Sequence, residues 1–122
     1  MGTSGYDENN VFAKILRGEI PNNTVYEDEY VLAFNDISPQ APAHIVVIPK
    51  GAYTTLEDFT ANASDAEIIA FYRAVGHIAR DKGLVEQGYR TLTNSGEHAG
   101  QEVPHFHLHI LGGRPLGPML AK

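Results

Sequence analysis

His105-Phe106-His107-Leu108-His109-Ile110-Leu111 alternates imidazole and apolar side chains without a break. A period of two is the mark of a β-strand, on which positions i, i+2 and i+4 share one face. Read as a strand from His105 to about Leu111, the stretch sends His105, His107 and His109 to one side. Phe106, Leu108 and Ile110 go to the other side, into a core. The fold must then contain a sheet with an apolar face, and one strand whose opposite face is entirely imidazole.

Three readings of that face stay open on spacing alone. It can be a solvated surface, although such surfaces ordinarily carry Lys, Thr or Glu. It can bind a metal, because two histidines at i and i+2 share a zinc at N–metal distances of roughly 2.0–2.1 Å. His44 would add a ligand if its strand lay alongside. The third histidine joins such a site poorly, since i and i+4 lie about 13 Å apart on a strand. No Asp or Glu stands among the three, though Glu102 is close by. The last reading is nucleophilic catalysis at phosphorus. Neutral imidazole attacks well near pH 7 if its proton is fixed on the other nitrogen by an acceptor. Neighbouring imidazoles then donate to the phosphoryl oxygens and protonate the leaving group.

Working outward, four more strands and two helices follow. Tyr89 to Thr93 precedes the loop from Asn94 to Gln101, and Gly112-Gly113 ends the histidine strand. His44 to Ile48 is a strand closed by Pro49-Lys50-Gly51. The prolines of Asp36-Ile37-Ser38-Pro39-Gln40-Ala41-Pro42 make that stretch a loop. Thr24 to Glu27 and Val31 to Asn35 read as a hairpin around an acidic turn. Asn10 caps a short helix reaching Arg17, with Val11, Phe12, Ile15 and Leu16 at helical spacing and Gly18 and Pro21 as stops. Ser64-Asp65-Ala66-Glu67 is a capping box opening a long helix with Ile68, Phe71, Tyr72, Val75 and Ile78 as its apolar stripe, closed by Gly83. The class is α+β: a five-stranded antiparallel sheet with one long and one short helix.

With 122 residues the chain holds one domain, expected over residues 10–122; the polar, glycine-rich residues 1–9 are expected to be disordered. Hydrophobic residues make up 43% and charged residues 20%, as in an ordinary soluble protein. A domain this small gains from added buried surface, which a homodimer supplies. The net charge of −6 and the lack of a Lys/Arg run argue against nucleic acid as partner, while a small phosphorylated ligand remains compatible. With no cysteine there is no disulfide, no thiolate metal site and no thiol nucleophile, which suits a cytoplasmic location. No apolar run approaches the ~20 residues of a membrane span, and the first residues do not read as a signal peptide.

Beyond these readings, the His-x-His-x-His pattern with its trailing apolar residues resembles the histidine-triad family. Ala33-Phe34-Asn35-Asp36-Ile37-Ser38-Pro39-Gln40-Ala41-Pro42-Ala43-His44 is similar to the ribose-binding segment of its Hint-like purine nucleoside phosphoramidase branch. Gly100-Gln101-Glu102-Val103-Pro104 and Gly112-Gly113-Arg114-Pro115-Leu116-Gly117-Pro118-Met119-Leu120 resemble bacterial members of that branch, so the likeness spans about residues 10–120.

The resemblance implies a sheet continued across a homodimer and the hydrolysis of purine nucleoside phosphoramidates, such as AMP joined to an amine. Cleavage of dinucleoside polyphosphates, or nucleotide binding with incidental turnover, are the alternatives it leaves. It implies His107 as nucleophile, His109 as phosphate contact and acid, His105 as the residue that orients His107 through its carbonyl, and His44 as support, with no metal or other cofactor. Asp36 would accept the ribose hydroxyls, and Phe12, Ile15, Ile20, Phe34 and Ile37 would form the purine slot. Asn94 and Gln101 would bond near the phosphate, with Val103 beside them. Glu102 stands where animal members carry a small hydroxyl residue, which makes it a candidate for selecting cationic leaving groups. The tail also lacks the tryptophan of the animal branch.

Overall fold

A computed structural model describes residues 5–121. Five strands, β1 (Thr24–Glu27), β2 (Val31–Asn35), β3 (Ala43–Pro49), β4 (Tyr89–Leu92) and β5 (Leu108–Gly112), form one antiparallel sheet in the order β1-β2-β3-β5-β4. The helices are α1 (Val11–Leu16), α2 (Leu56–Asn62) and α3 (Asp65–Asp81), with a single 3-10 turn at Glu97–Ala99. The α+β class and the five antiparallel strands are as expected. The hairpin has the expected bounds, closed by Asp28, whose Oδ1 accepts from the Tyr30 and Val31 amides at 2.8 and 2.9 Å.

Alternation along the central strands gives the sheet two distinct faces. Val31, Ala33, Ile45, Val47, Leu108 and Ile110 pack under α3 with Phe59, Phe71 and Phe106. Phe106 stacks on Phe59 at 4.9 Å and lies 5.0 Å from Phe71, all three sealed from solvent. The opposite face carries Leu32, Phe34, Val46 and Ile48, covered by Phe12 of α1. α3 begins at the expected capping box: Ser64 Oγ accepts from the Glu67 amide at 3.2 Å, and Glu67 Oε1 accepts from the Ser64 amide at 3.0 Å.

The structure departs from the sequence reading in three places. β5 begins at Leu108, so His105 and His107 precede the ladder. Phe106 N–H donates to Tyr53 O at 2.7 Å and His105 N–H to Val103 O at 2.8 Å, which draws this segment off β3 while preserving its alternation. α2 is an additional helix, capped by Thr55, whose side chain accepts from the Asp58 amide at 3.2 Å. Of residues 1–9, expected to be disordered, 1–4 lie outside the described residues, whereas Tyr6 packs against His105. Among the described residues no helix is long and apolar enough to cross a membrane.

Candidate functional site

Strand order brings the candidate residues together. β3 lies between β2 and β5, with Phe34 opposite Val46 and Val46 opposite His109. His44, two residues before Val46, therefore sits diagonally next to His109 on the same face, and their rings meet at 5.1 Å. Asp36 continues β2 past Phe34, and its amide donates to His44 O at 3.0 Å. His107 stands one alternation before His109, with ring centroids 5.1 Å apart. These imidazoles face a buried layer: His105 is fully buried, and His44 and His107 are buried too. That excludes the solvated-surface reading.

The hydrogen-bond partners assign the protons. His107 Nδ1 lies 2.6 Å from His105 O, which can only accept, so Nδ1 carries the proton and Nε2 keeps a lone pair. Every sealed side-chain nitrogen and oxygen among the described residues has a partner. His107 Nε2 has none there, so it is an atom that solvent reaches. His44 Nδ1 accepts from the Gln40 amide at 3.0 Å, so its proton sits on Nε2 and is donated to His109 Nδ1 at 2.9 Å. That leaves the His109 proton on Nε2. Thr93 Oγ1 donates to His107 O at 2.7 Å and pins the backbone there.

Burial keeps these rings neutral. Desolvation pushes His105 down to about 4, with the Pro49 carbonyl opposing it. It also pushes His109 down to about 4, helped by His107 and His44. His107 is lowered as well, chiefly by desolvation. A neutral imidazole with its proton fixed at Nδ1 is the form that can attack through Nε2.

Phe12 forms one wall, edge-on to His107 at 4.9 Å and to Phe34 at 5.6 Å. Ile15 and Val103 pack on the same cluster. Ile20 is half-buried and outside that cluster, and Ile37 is 98% exposed on the loop beside Asp36. Asp36 Oδ1 accepts from the Ser38 amide at 2.8 Å, closing the loop turn, while Oδ2 lies 3.5 Å from His44 Nε2. Asn94 is half-buried after β4. Gln101, expected to bond near a phosphate, already has protein partners. Its Nε2 donates to Thr54 O and Val103 O at 2.7 and 3.0 Å, and its Oε1 accepts from the Gly96 amide. Both amide hydrogens are spent on stapling the loop. Glu102 is exposed at the rim.

Asp36, His44 and His109 bring their ligand atoms within 4.8 Å of one another, a cluster of metal-binding type. The triad spacing alone did not point to this set. Its proton arrangement opposes metal: ligation through His44 Nε2 requires a proton on Nδ1, where the Gln40 N–H already points. A surface recess of about 550 Å³ lies elsewhere, between Gln87–Arg90 and Gly113–Leu116. Sequence reasoning also missed three supports of the histidines: Tyr6, Thr93 and the carbonyl of Pro49.

Comparison with known proteins agrees with this layout. The HIT domain model matches residues 17–116. An uncharacterised 13.2 kDa HIT-like protein of Azospirillum brasilense is 62% identical over 117 residues, covering 96% of each chain. The purine nucleoside phosphoramidase of Escherichia coli K12 is 49% identical over 114 residues, covering 93% of this chain and 95% of that protein. The solved structure of a histidine triad protein from Clostridium difficile superposes with a TM-score of 0.82 at 42% identity, covering 93% of this chain and 98% of the other. The protein belongs to the HIT family.

Proposed function

We propose that the protein hydrolyses purine nucleoside phosphoramidates of the AMP–amine type in two steps through His107. The observation that carries this is the 2.6 Å bond from His107 Nδ1 to the His105 carbonyl, which aims a free Nε2 lone pair outward. The likeness to the Escherichia coli purine nucleoside phosphoramidase supports the substrate class. The nucleoside would occupy the face built by Phe12, Ile15, Phe34 and Val103, with Asp36 accepting from the ribose.

In the first step His107 Nε2 attacks phosphorus and the P–N bond breaks. The arriving phosphoryl anion favours a second proton on His109, taken at Nδ1 from solvent and returned to it when the product leaves. The Nε2–H of His44 accommodates it by turning to Asp36 Oδ2, 3.5 Å away. His109 gives its Nε2 proton to the leaving nitrogen, which departs as the amine. In the second step that vacated nitrogen takes a proton from water as the oxygen attacks the nucleotidyl-histidine. The nucleoside monophosphate leaves and His107 recovers its lone pair.

No metal or other cofactor enters either step. The active unit is a homodimer formed along β4, an edge strand bonded on one side to β5 and presenting exposed Tyr89 and Leu92. The reaction takes place in the cytoplasm.

The test is turnover of a fluorogenic adenosine phosphoramidate by the parent and by His107→Ala, each with and without chelator. We expect His107→Ala to lose about 10³-fold or more in kcat, and chelator to change nothing. Turnover that survives in His107→Ala would end the nucleophile assignment; loss with chelator alone would restore the metal reading.

A further inference from the structure

We propose that Tyr6 is a positioning residue, whose hydroxyl fixes the ring of His105 and so sets where the His107 imidazole stands. The idea rests on His107 being the nucleophile, as proposed above. His105 is held at four points. Its amide donates to Val103 O at 2.8 Å, and its carbonyl accepts from His107 Nδ1 at 2.6 Å. Its ring Nε2 donates to Pro49 O at 2.9 Å, which places the ring proton there and leaves Nδ1 as an acceptor.

In a fully buried residue that acceptor needs a donor, and Tyr6 O–H supplies it at 2.6 Å. The other three bonds engage backbone close to the site or His107 itself. The fourth alone comes from a side chain 99 residues away in sequence.

Tyr6 is itself aimed. Asn10 Nδ2 donates to its oxygen at 3.0 Å, so the phenol hydrogen is free to point at His105. The same Asn10 caps α1 by accepting from the Ala13 amide at 2.9 Å, and α1 sets Phe12 edge-on against both His107 and His105. The short segment from Tyr6 to Phe12 therefore grips the nucleophile twice, once through the His105 ring and once by packing. Tyr6 acts through His105, and removing its hydroxyl should change the rate of the chemical step more than the binding of substrate.

Tyr6→Phe keeps the ring that packs at 5.8 Å on His105 and deletes only the donor. In the full-length protein we expect a folded variant with kcat about tenfold lower and KM within about twofold of the parent. Long-range ¹H–¹⁵N spectra should show the His105 Nδ1 resonance displaced, with the His107 Nδ1 proton shifted or broadened. A mere structural brace would leave the His107 Nδ1 proton unmoved. An unchanged His107 Nδ1 proton resonance overturns the proposal, as does a raised KM at unchanged kcat. If the parent itself does not turn over phosphoramidate, the proposed function falls, and the nitrogen spectra still decide whether Tyr6 sets the His105 ring.

Discussion

The two faces of the sheet are built by the same alternation and have opposite chemistry. Under α3 lie Phe59, Phe71 and Phe106 with the aliphatic side chains of β2, β3 and β5, and, among the described residues, no buried imidazole. Under α1 the same strands and the segments that lead into and out of them present four histidines and Asp36 beside Leu32, Phe34, Val46 and Ile48, with Phe12 of α1 against them. Both faces are buried, so the contrast is not core against solvent. Burial of imidazoles is tolerable only if their nitrogens are paired, and among the described residues no sealed polar side-chain atom lacks a partner. The partnering is nearly complete, and the exceptions are two ring nitrogens, the Nε2 lone pair of His107 and the Nε2–H of His109. One face contributes cohesion, and the other contributes a single unspent lone pair held in place by spent ones.

Exchanging damage between the faces should break this comparison most visibly. Phe71→Ala removes a sealed ring that touches Phe59, Tyr72 and Phe106. It should cost about 3–5 kcal/mol of stability, measured by denaturant unfolding, with kcat preserved where the variant is folded. His107→Asn should do the reverse, retaining nucleotide affinity and most stability while losing turnover. A Phe71→Ala protein that is stable but inactive would mean that the faces are not separable.

How legible each face was in the sequence follows from the same physics. The apolar face was readable because Phe106, Leu108 and Ile110 alternate strictly and Phe71, Val75 and Ile78 recur at helical spacing. The hairpin was readable to the residue, since Asp28 sits where the turn needs an acceptor. The histidine alternation was also visible, but it outlasts the ladder. Extended backbone keeps a period of two even where its amides turn to Tyr53 and Val103, so the start of β5 was placed too early. α2 offers Leu56 and Phe59 as its apolar signal, and only the Thr55–Asp58 cap announces it. Asp36, His44 and His109 converge because β3 pairs with β5 across a gap of about sixty residues, which no local pattern encodes. Tyr6 gave no signal at all, lying in a segment whose composition reads as disordered.

A smaller effect separates the faces by pH. His105, His107 and His109 are all held below the ordinary histidine value by burial, the first and last at about 4. Between about 6.5, the unperturbed value, and about 4 the unfolded chain therefore binds more protons than the folded one. Stability must then rise with pH across that window. The stabilisation is complete above about 6.5 and is lost as pH falls towards 4. Melting temperature should decline from pH 7 to pH 4.5 for the parent and for Phe71→Ala alike. It should decline less steeply in a variant lacking one of the three imidazoles, such as His107→Asn. A pH dependence unchanged in that variant would show that carboxylates, not the histidine face, govern acid sensitivity.

The finest comparison is between two helix caps. Ser64 caps α3 over the apolar face, and Asn10 caps α1 over the histidine face, each accepting from an amide three residues on. Replacing either by Ala should cost about 1 kcal/mol, read as a lowered denaturation midpoint. There the likeness ends. Ser64 reaches only its own first turn and Glu67, so Ser64→Ala should leave kcat and KM where they were. Asn10 also donates to Tyr6, whose hydroxyl holds His105. Asn10→Ala should therefore lower kcat severalfold beyond what its loss of stability explains. Equal kinetic effects from the two caps would place the control of His107 in global stability; a deficit confined to Asn10→Ala would trace it through the short segment that ends at Phe12.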